Sequence, residues 1–165
     1  MIYKNKNKLF FNNLLTILLL TLPTSFSFAQ QGIGKQLSQD AMALVGYLEL
    51  SNIGSKDADC KGTHFEVSNV NSVIETDIRA ALNKLSSMEN KKNPKEIDEV
   101  IALIKQISVT TKDGKTVLQA TYDKAKQDNF ATYGKQGGCA SMSASFRTVV
   151  QQRRLSIQQF LSSKK

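Results

Sequence analysis

The sequence predicts an all-α protein, a compact bundle of four to five helices with one disulfide. Apolar residues recur at helical spacing in segment after segment. The run Asn93, Pro94 and Glu96 is a strong helix-start signal, since it combines a cap, a first-turn proline and an early acid. The chain has two cysteines, Cys60 and Cys139, and begins with an export-like leader, which favours a disulfide between them.

The first 29 residues have the order of an export signal. Lysines at positions 4, 6 and 8 precede an apolar core, Leu14 to Leu22, and small residues, Ser27 and Ala29, stand where a signal peptidase reads. The apolar core is shorter than the roughly 20 residues that span a bilayer. We expect cleavage after Ala29 and a soluble chain in the periplasm or the secreted space; an uncleaved anchor is the alternative.

Residues 30–165 are predicted to form a single helical domain, because the 136 residues left after cleavage can build one core but not two. Residues 30–128 hold 13 Lys and Arg against 14 Asp and Glu, whereas residues 129–165 hold six basic residues and no acid. The net positive charge of the mature chain therefore belongs to its last quarter.

Cys60 and Cys139 are predicted to pair within one chain, since thiols pair in an oxidising compartment. A redox role is disfavoured because the sequence has no C-x-x-C motif. We predict no metal site and no cofactor. His64 lies four residues after Cys60, but it is the only histidine, and zinc would need further ligands.

The first three helices follow from apolar spacing. The run "KQLSQDAMALVGYLEL" is apolar on nearly every side, which predicts a central core helix ending near Asn52 and Gly54. A polar loop follows, and a second helix is entered through Asn69 or Asn71. The third helix begins at the Asn93 and Pro94 signal.

Two later segments are harder to interpret. In "ISVTTKDGKTVLQATY", residues 107–122, Asp113 and Gly114 between β-branched residues are typical of a hairpin. We favour two helices, one ending near Gly114 and one carrying residues 117–125, because a lone two-stranded hairpin is marginal. The following "NFATYGKQGG" is predicted to be a loop, with Gly134, Gly137 and Gly138 as helix breakers.

The last helix carries three arginines on or beside its apolar stripe. At 100° per residue, Arg147 and Arg154 flank the stripe and Arg153 falls in its middle. A guanidinium there must pair with an internal carboxylate, for which Glu49 or Asp40 is expected, cap helix carbonyls, extend to solvent at an end of the bundle, or contact a group outside the chain. Arg147, Arg153 and Arg154 are therefore the candidate partner-binding residues.

The sequence gives little support for catalysis. It has no G-x-S-x-G motif, no glycine-rich phosphate loop and no histidine besides His64. We therefore expect that the protein is not an enzyme and has no catalytic residues. Nucleic-acid binding is disfavoured by export and by the absence of aromatic residues interleaved with basic ones.

Two function classes remain. The first is an exported helical protein that binds another protein, as an inhibitor, an immunity-type factor or a chaperone-like factor would. The second is a protein whose basic C-terminal surface binds an anionic membrane surface or wall polymer. Salt distinguishes them, since only the second should weaken sharply as salt rises.

Overall fold

The computed structural model describes residues 33–89, 94–109, 111–112 and 115–163. The predicted leader, residues 1–29, lies outside these ranges, and so do the predicted cap Asn93, the turn residues Asp113 and Gly114, and the terminal Lys164 and Lys165.

The described residues form four helices and a minimal hairpin. The helices are α1 (Ile33–Lys56), α2 (α-helical over Val70–Val73 and Arg79–Met88, with a π-helical stretch Ile74–Ile78 between), α3 (Pro94–Gln106) and α4 (Val117–Ser162). A 3-10 turn, Ala58–Cys60, follows α1, and the strands are β1 (Thr111–Lys112) and β2 (Lys115–Thr116). The predicted all-α class with one disulfide, Cys60 to Cys139, is confirmed.

Helix α1 is the centre of the molecule, as its unusually apolar sequence predicted. Residues on all its sides are buried, including Leu44, Val45 and Leu48, each with 0 % exposure. Even polar residues of this helix, Ser38, Asp40 and Ser51, are buried. Asp40 accepts hydrogen bonds from α4 and from Gln36 of its own helix, whereas the buried Ser51 hydroxyl has no hydrogen-bond partner among the described residues.

Helices α2 and α3 begin where the sequence signals stand. The Asn69 side chain accepts a hydrogen bond from the Ser72 amide at 3.1 Å, and α3 starts at Pro94. Arg79 on α2 pairs with Glu75 at 2.8 Å and reaches Asp98 on α3 at 2.7 Å. These ion pairs are exposed and add little stability, so the buried apolar faces hold the two helices in place.

The prediction for residues 107–122 was wrong in its first half and right in its second. Helix α3 ends at Gln106 rather than near Gly114, and β1 pairs antiparallel with β2 in the register Thr111 to Thr116. Helix α4 then begins at Val117, with the Thr116 side chain accepting from the Gln119 amide at 3.0 Å. The hairpin persists because α4 continues directly from β2 and anchors it.

The predicted loop over "NFATYGKQGG" is also wrong, because this segment is helical except at one residue. Gly134 has φ 69 and ψ 176, which bends α4 into an N-terminal arm, 117–133, and a C-terminal arm, 135–162. Gly138 lies inside the C-terminal arm, where a Cβ atom would come within 2.7 Å of the Phe130 ring. The glycines therefore allow a sharp bend and a close approach of the two arms rather than a loop.

The segment after the 3-10 turn runs back along the body. It lies between α1 and the C-terminal arm: Asn52 exchanges hydrogen bonds with Ser68, while Ser143 donates to the His64 carbonyl. Phe65 packs over Gly54, where even a Cβ atom would fall within 2.5 Å of its ring. Within the described ranges no helix has both the length and the apolar character needed to cross a bilayer.

Candidate functional site

The bend of α4 is the most distinctive feature of the surface. All seven residues from 131 to 137, which we call the elbow, are exposed, whereas the helices on either side are regularly buried on one face. Tyr133 lies directly before the bend and is 51 % exposed. A large aromatic side chain held at an exposed bend is a typical contact residue of protein interfaces.

The disulfide fixes one side of the elbow. Cys139 follows the bend by five residues and is bonded to Cys60, with the two α-carbons 5.4 Å apart. Cys139 is 0 % exposed and Cys60 is 3 % exposed. The bond therefore attaches the start of the C-terminal arm to the loop that follows α1.

Two lysines on opposite sides of the bend share the carboxylates of that loop. Lys126 of the N-terminal arm lies 2.7 Å from an oxygen of Asp57 and 2.7 Å from one of Asp59. Lys135 of the C-terminal arm lies 2.6 Å from the other oxygen of Asp59. We call these four residues the clamp, because one carboxylate, Asp59, connects both arms across Gly134.

The clamp changes the acidity of its members. Hydrogen bonds from Lys126 and Lys135 lower the pKa of Asp59 to about 2. Desolvation acts to raise the pKa of Asp57, but hydrogen bonds from Lys126, the Asp59 amide and Tyr122 outweigh it and lower that pKa overall. Desolvation and the 3.0 Å hydrogen bond to Asp57 raise the pKa of Tyr122. Asp57 and Asp59 are thus ionised, and Tyr122 neutral, across the physiological range.

Arg153 lies where the sequence placed it and pairs with one of the two expected carboxylates. Its Nη1 atom donates to Asp40 Oδ1 at 2.7 Å, and the Asp40 side chain is only 2 % exposed. Gln36 and Ser156 also donate to Asp40. The internal pairing of Arg153 is therefore present, while its predicted role in partner binding stays a prediction.

The other two predicted arginines also contact this chain. Arg154 pairs with Glu66 at 2.9 Å, and Arg147 donates to the His64 carbonyl at 3.2 Å while remaining exposed. With Lys135 on Asp59, every basic side chain described in residues 129–163 has an internal acceptor. Asp59, Asp40 and Glu66 thus pair with Lys135, Arg153 and Arg154, whereas Arg147 reaches only neutral acceptors, the His64 carbonyl and the Ser143 hydroxyl.

The described residues do not bring together a metal-binding arrangement. No group of three or more His, Cys, Asp or Glu in the described ranges is placed to hold a metal ion. The clamp has two carboxylates, but lysines neutralise both. His64 is exposed and contributes its backbone carbonyl to the packing of the C-terminal arm.

Sequence reasoning missed the elbow and the clamp. Gly134, Gly137 and Gly138 gave a signal, but three glycines in five residues favour a loop when only local propensity is considered. Lys126 is 69 residues from Asp57 and 67 from Asp59 in the sequence, and Lys135 is farther still, so no local pattern reveals these pairs.

Comparisons with known proteins give no relative for this chain: no family model, no curated protein and no solved structure matches it.

Proposed function

We propose that this is an exported helical protein, with residues 1–29 as a cleaved leader, that acts in the periplasm or the secreted space by binding another protein through the elbow. The observation that carries the proposal is the contrast at the bend of α4. Residues 131–137 are exposed and contribute little to the core. Their position is nevertheless fixed on both sides, by the disulfide at Cys139 and by the ion pairs of the clamp.

An elbow whose position is already fixed is well suited to binding another protein. A surface segment loses conformational entropy when it binds, and a segment that is already fixed loses less. Gly134 has a backbone conformation with φ 69 that side chains rarely adopt, so the bend itself is a specified feature. Tyr133 then presents a large, rigid side chain with few rotatable bonds, which suits an anchor residue.

The charge around the elbow is consistent with a protein partner. Lys126 and Lys135 are neutralised by Asp57 and Asp59, and Lys124 pairs with Asp128 at 2.6 Å. The alternative function, binding to an anionic membrane or wall polymer, was motivated by the basic tail. Three of the four basic side chains described in residues 129–163 pair with carboxylates of the chain, and Arg147 is the one that does not, so this segment presents little unpaired positive charge to an anionic surface.

Site-specific photo-crosslinking tests the proposal. A benzophenone amino acid is placed at Tyr133, and the oxidised, exported protein is irradiated with envelope and secreted fractions of its source cells. We expect a discrete crosslinked product containing one other protein. The matched control carries the same group at Val109, which is 68 % exposed and lies beside the hairpin at the far end of the N-terminal arm, roughly 25 Å from the elbow.

Tyr133→Ala should then abolish capture of the same protein by an affinity-tagged chain, while Val109→Ala should retain it. Equal crosslinking at positions 133 and 109, or capture that survives Tyr133→Ala, would contradict binding through the elbow. Binding of the chain to the envelope fraction that is lost between 50 and 300 mM salt, with no crosslinked protein product, would favour the anionic surface instead.

A further inference from the structure

The disulfide is buried where three parts of the fold meet. Cys60 ends the 3-10 turn after α1, and Cys139 lies in the C-terminal arm of α4. The hydroxyl of Tyr122, which belongs to the N-terminal arm and is only 1 % exposed, lies 3.6 Å from the Cys60 sulfur. The Asp59 carbonyl oxygen lies 3.7 Å from the Cys139 sulfur. The two sulfurs are therefore enclosed by both arms of α4 and by the turn after α1.

The clamp holds both arms of α4 against the turn that carries Cys60. Lys126 pairs with Asp57 and Asp59, and Lys135 pairs with Asp59 from the other side of the bend. An oxidant must bring its own sulfur into contact with a cysteine sulfur, because thiol–disulfide exchange passes through a mixed disulfide. The docked arms leave almost no sulfur surface for that contact, so the folded chain is closed to the reaction.

We propose that the bond between Cys60 and Cys139 forms before the C-terminal arm docks, by thiol–disulfide exchange with a disulfide-bearing oxidant. The thiolate of one cysteine attacks the oxidant's disulfide, forms a mixed disulfide and displaces one thiol of the oxidant. The thiolate of the second cysteine attacks the first cysteine's sulfur, which forms the bond and releases the other thiol of the oxidant. The two cysteines together lose two electrons and two protons, and the oxidant gains them.

Early formation carries no risk of a wrong pairing within the chain. The sequence has two cysteines, so a chain that is oxidised before it folds can form only this internal bond. Late formation is opposed twice, since burial keeps the oxidant out and also disfavours the thiolate that must attack. Oxidation therefore precedes the docking step in which Arg153 reaches Asp40. This order of steps does not depend on the partner of the elbow.

Two exchange rates test the order. Oxidised, folded protein is treated with dithiothreitol in buffer and in concentrated urea, and the free thiols are counted over time. Reduction in buffer should be slower by about a hundredfold or more, because only the small fraction of molecules with open arms reacts. Reduced protein treated with oxidised glutathione should show a similar ratio, since both directions require contact with the same buried sulfurs. Reduced protein that circular dichroism shows to be unfolded in buffer would also support the order, because docking would then require the bond.

Val109→Cys provides an internal control, because it keeps the native bond and adds a thiol at a residue that is 68 % exposed. Glutathione attached to the added thiol should be removed by dithiothreitol at a similar rate in buffer and in urea. Equal reduction rates of the native bond in the two solvents, with the buffer sample folded by circular dichroism, would overturn the proposal. Rapid oxidation of a folded, reduced chain would overturn it as well.

The source of the oxidising disulfide is identified with Cys139→Ala, which leaves Cys60 without the thiol that completes the exchange. Newly made chain is collected from the source cells, quenched with acid and alkylated to preserve mixed disulfides. A protein attached at Cys60 and released by reduction would identify a protein dithiol oxidase, whereas attached glutathione would identify a small-molecule oxidant. An adduct that forms as readily on purified, folded Cys139→Ala protein would contradict the order, because Cys60 would then be accessible after docking.

Discussion

Asp40 is the residue on which the docking of the last helix depends. Its carboxylate is 2 % exposed on the central helix and accepts hydrogen bonds from Arg153, Ser156 and Gln36. Two of these donors belong to α4, so the C-terminal arm carries the groups that satisfy a buried charge on α1. These two donors favour one register of the arm along α1, since a shift would move Arg153 and Ser156 away from Asp40 and leave this carboxylate with only Gln36 of its own helix.

Arg153→Ala is expected to destabilise the fold by about 2 kcal/mol or more, against less than about 1 kcal/mol for Arg147→Ala. Removal of Arg153 leaves the buried carboxylate of Asp40 without its cation, while Arg147 donates to two neutral acceptors, the His64 carbonyl and the Ser143 hydroxyl. One third of the Arg153 side chain is exposed, so the loss should fall below that of a fully buried ion pair. Denaturant midpoints of the two variants measure the difference. A neutral Arg153→Ala that loses partner capture would instead assign this arginine to a binding surface.

At the scale of elements, what the sequence could predict depends on how local the cause is. The starts of α2 and α3 were predictable because a cap such as Asn69, or a first-turn proline such as Pro94, acts within one helical turn. The bend at Gly134 was not, because the helix continues through it only when distant groups hold both arms. Asp59 supplies that contact from about 70 residues away, so local rules favoured a loop.

The clamp should make the protein sensitive to acid in a defined window. The pKa of Asp59 is lowered to about 2 and that of Asp57 is lowered as well, so both stabilise the fold above the ordinary aspartate pKa near 3.8. That contribution is lost as the pH falls from about 4 through about 2, because protonation then favours the unfolded chain. Thermal unfolding midpoints are measured by circular dichroism between pH 7 and pH 2. They should decrease mainly between pH 4 and pH 2.

Lys126→Met identifies the clamp as the source, because it removes the cation shared by Asp57 and Asp59 but keeps an apolar stem near Phe130. Its midpoint should fall less between pH 4 and pH 2 than that of the parent protein. Lys124→Met is the matched control, since Lys124 pairs with Asp128 on its own helix, and it should retain the parental acid dependence. The same acid dependence in both variants would show that other carboxylates cause it.

At the scale of the whole molecule, the pairing of the two cysteines constrains the path of the chain. Helices that ran strictly up and down would have placed Cys60 and Cys139 at opposite ends of the bundle, too far apart to bond. Two solutions were open: a return of the chain along the bundle through residues 53–68 or 126–140, or a segment 107–122 that is not a helical corner. The structure has the second, because α3 ends at Gln106 and the hairpin leads directly into α4. Ser68 pairs with Asn52, only about one turn from the end of α1. The second expected return loop, residues 126–140, is instead the bent helix.

The bond between Cys60 and Cys139 should accordingly stabilise the entire fold rather than one end of it. It closes a segment of 79 residues, for which the chain-entropy model gives a stabilisation on the order of 4 kcal/mol, acting chiefly on the unfolded chain. The double variant Cys60→Ala/Cys139→Ala should lose about this amount in denaturant unfolding. Reduced parent protein provides the control, because it lacks the bond but retains both sulfur atoms in the core.

Thiol titration tests whether the bond exists in the purified protein. The sulfurs are almost fully buried, so native protein prepared without reductant is first denatured, and it should then show no free thiol. Two thiols per molecule would reject the bond. A covalent dimer that is lost on reduction would place the bond between chains, so that it would not fix the elbow within one chain.

Because the disulfide fixes the C-terminal arm beside the loop after α1, its removal should also weaken crosslinking at Tyr133 under conditions where the double variant is still folded.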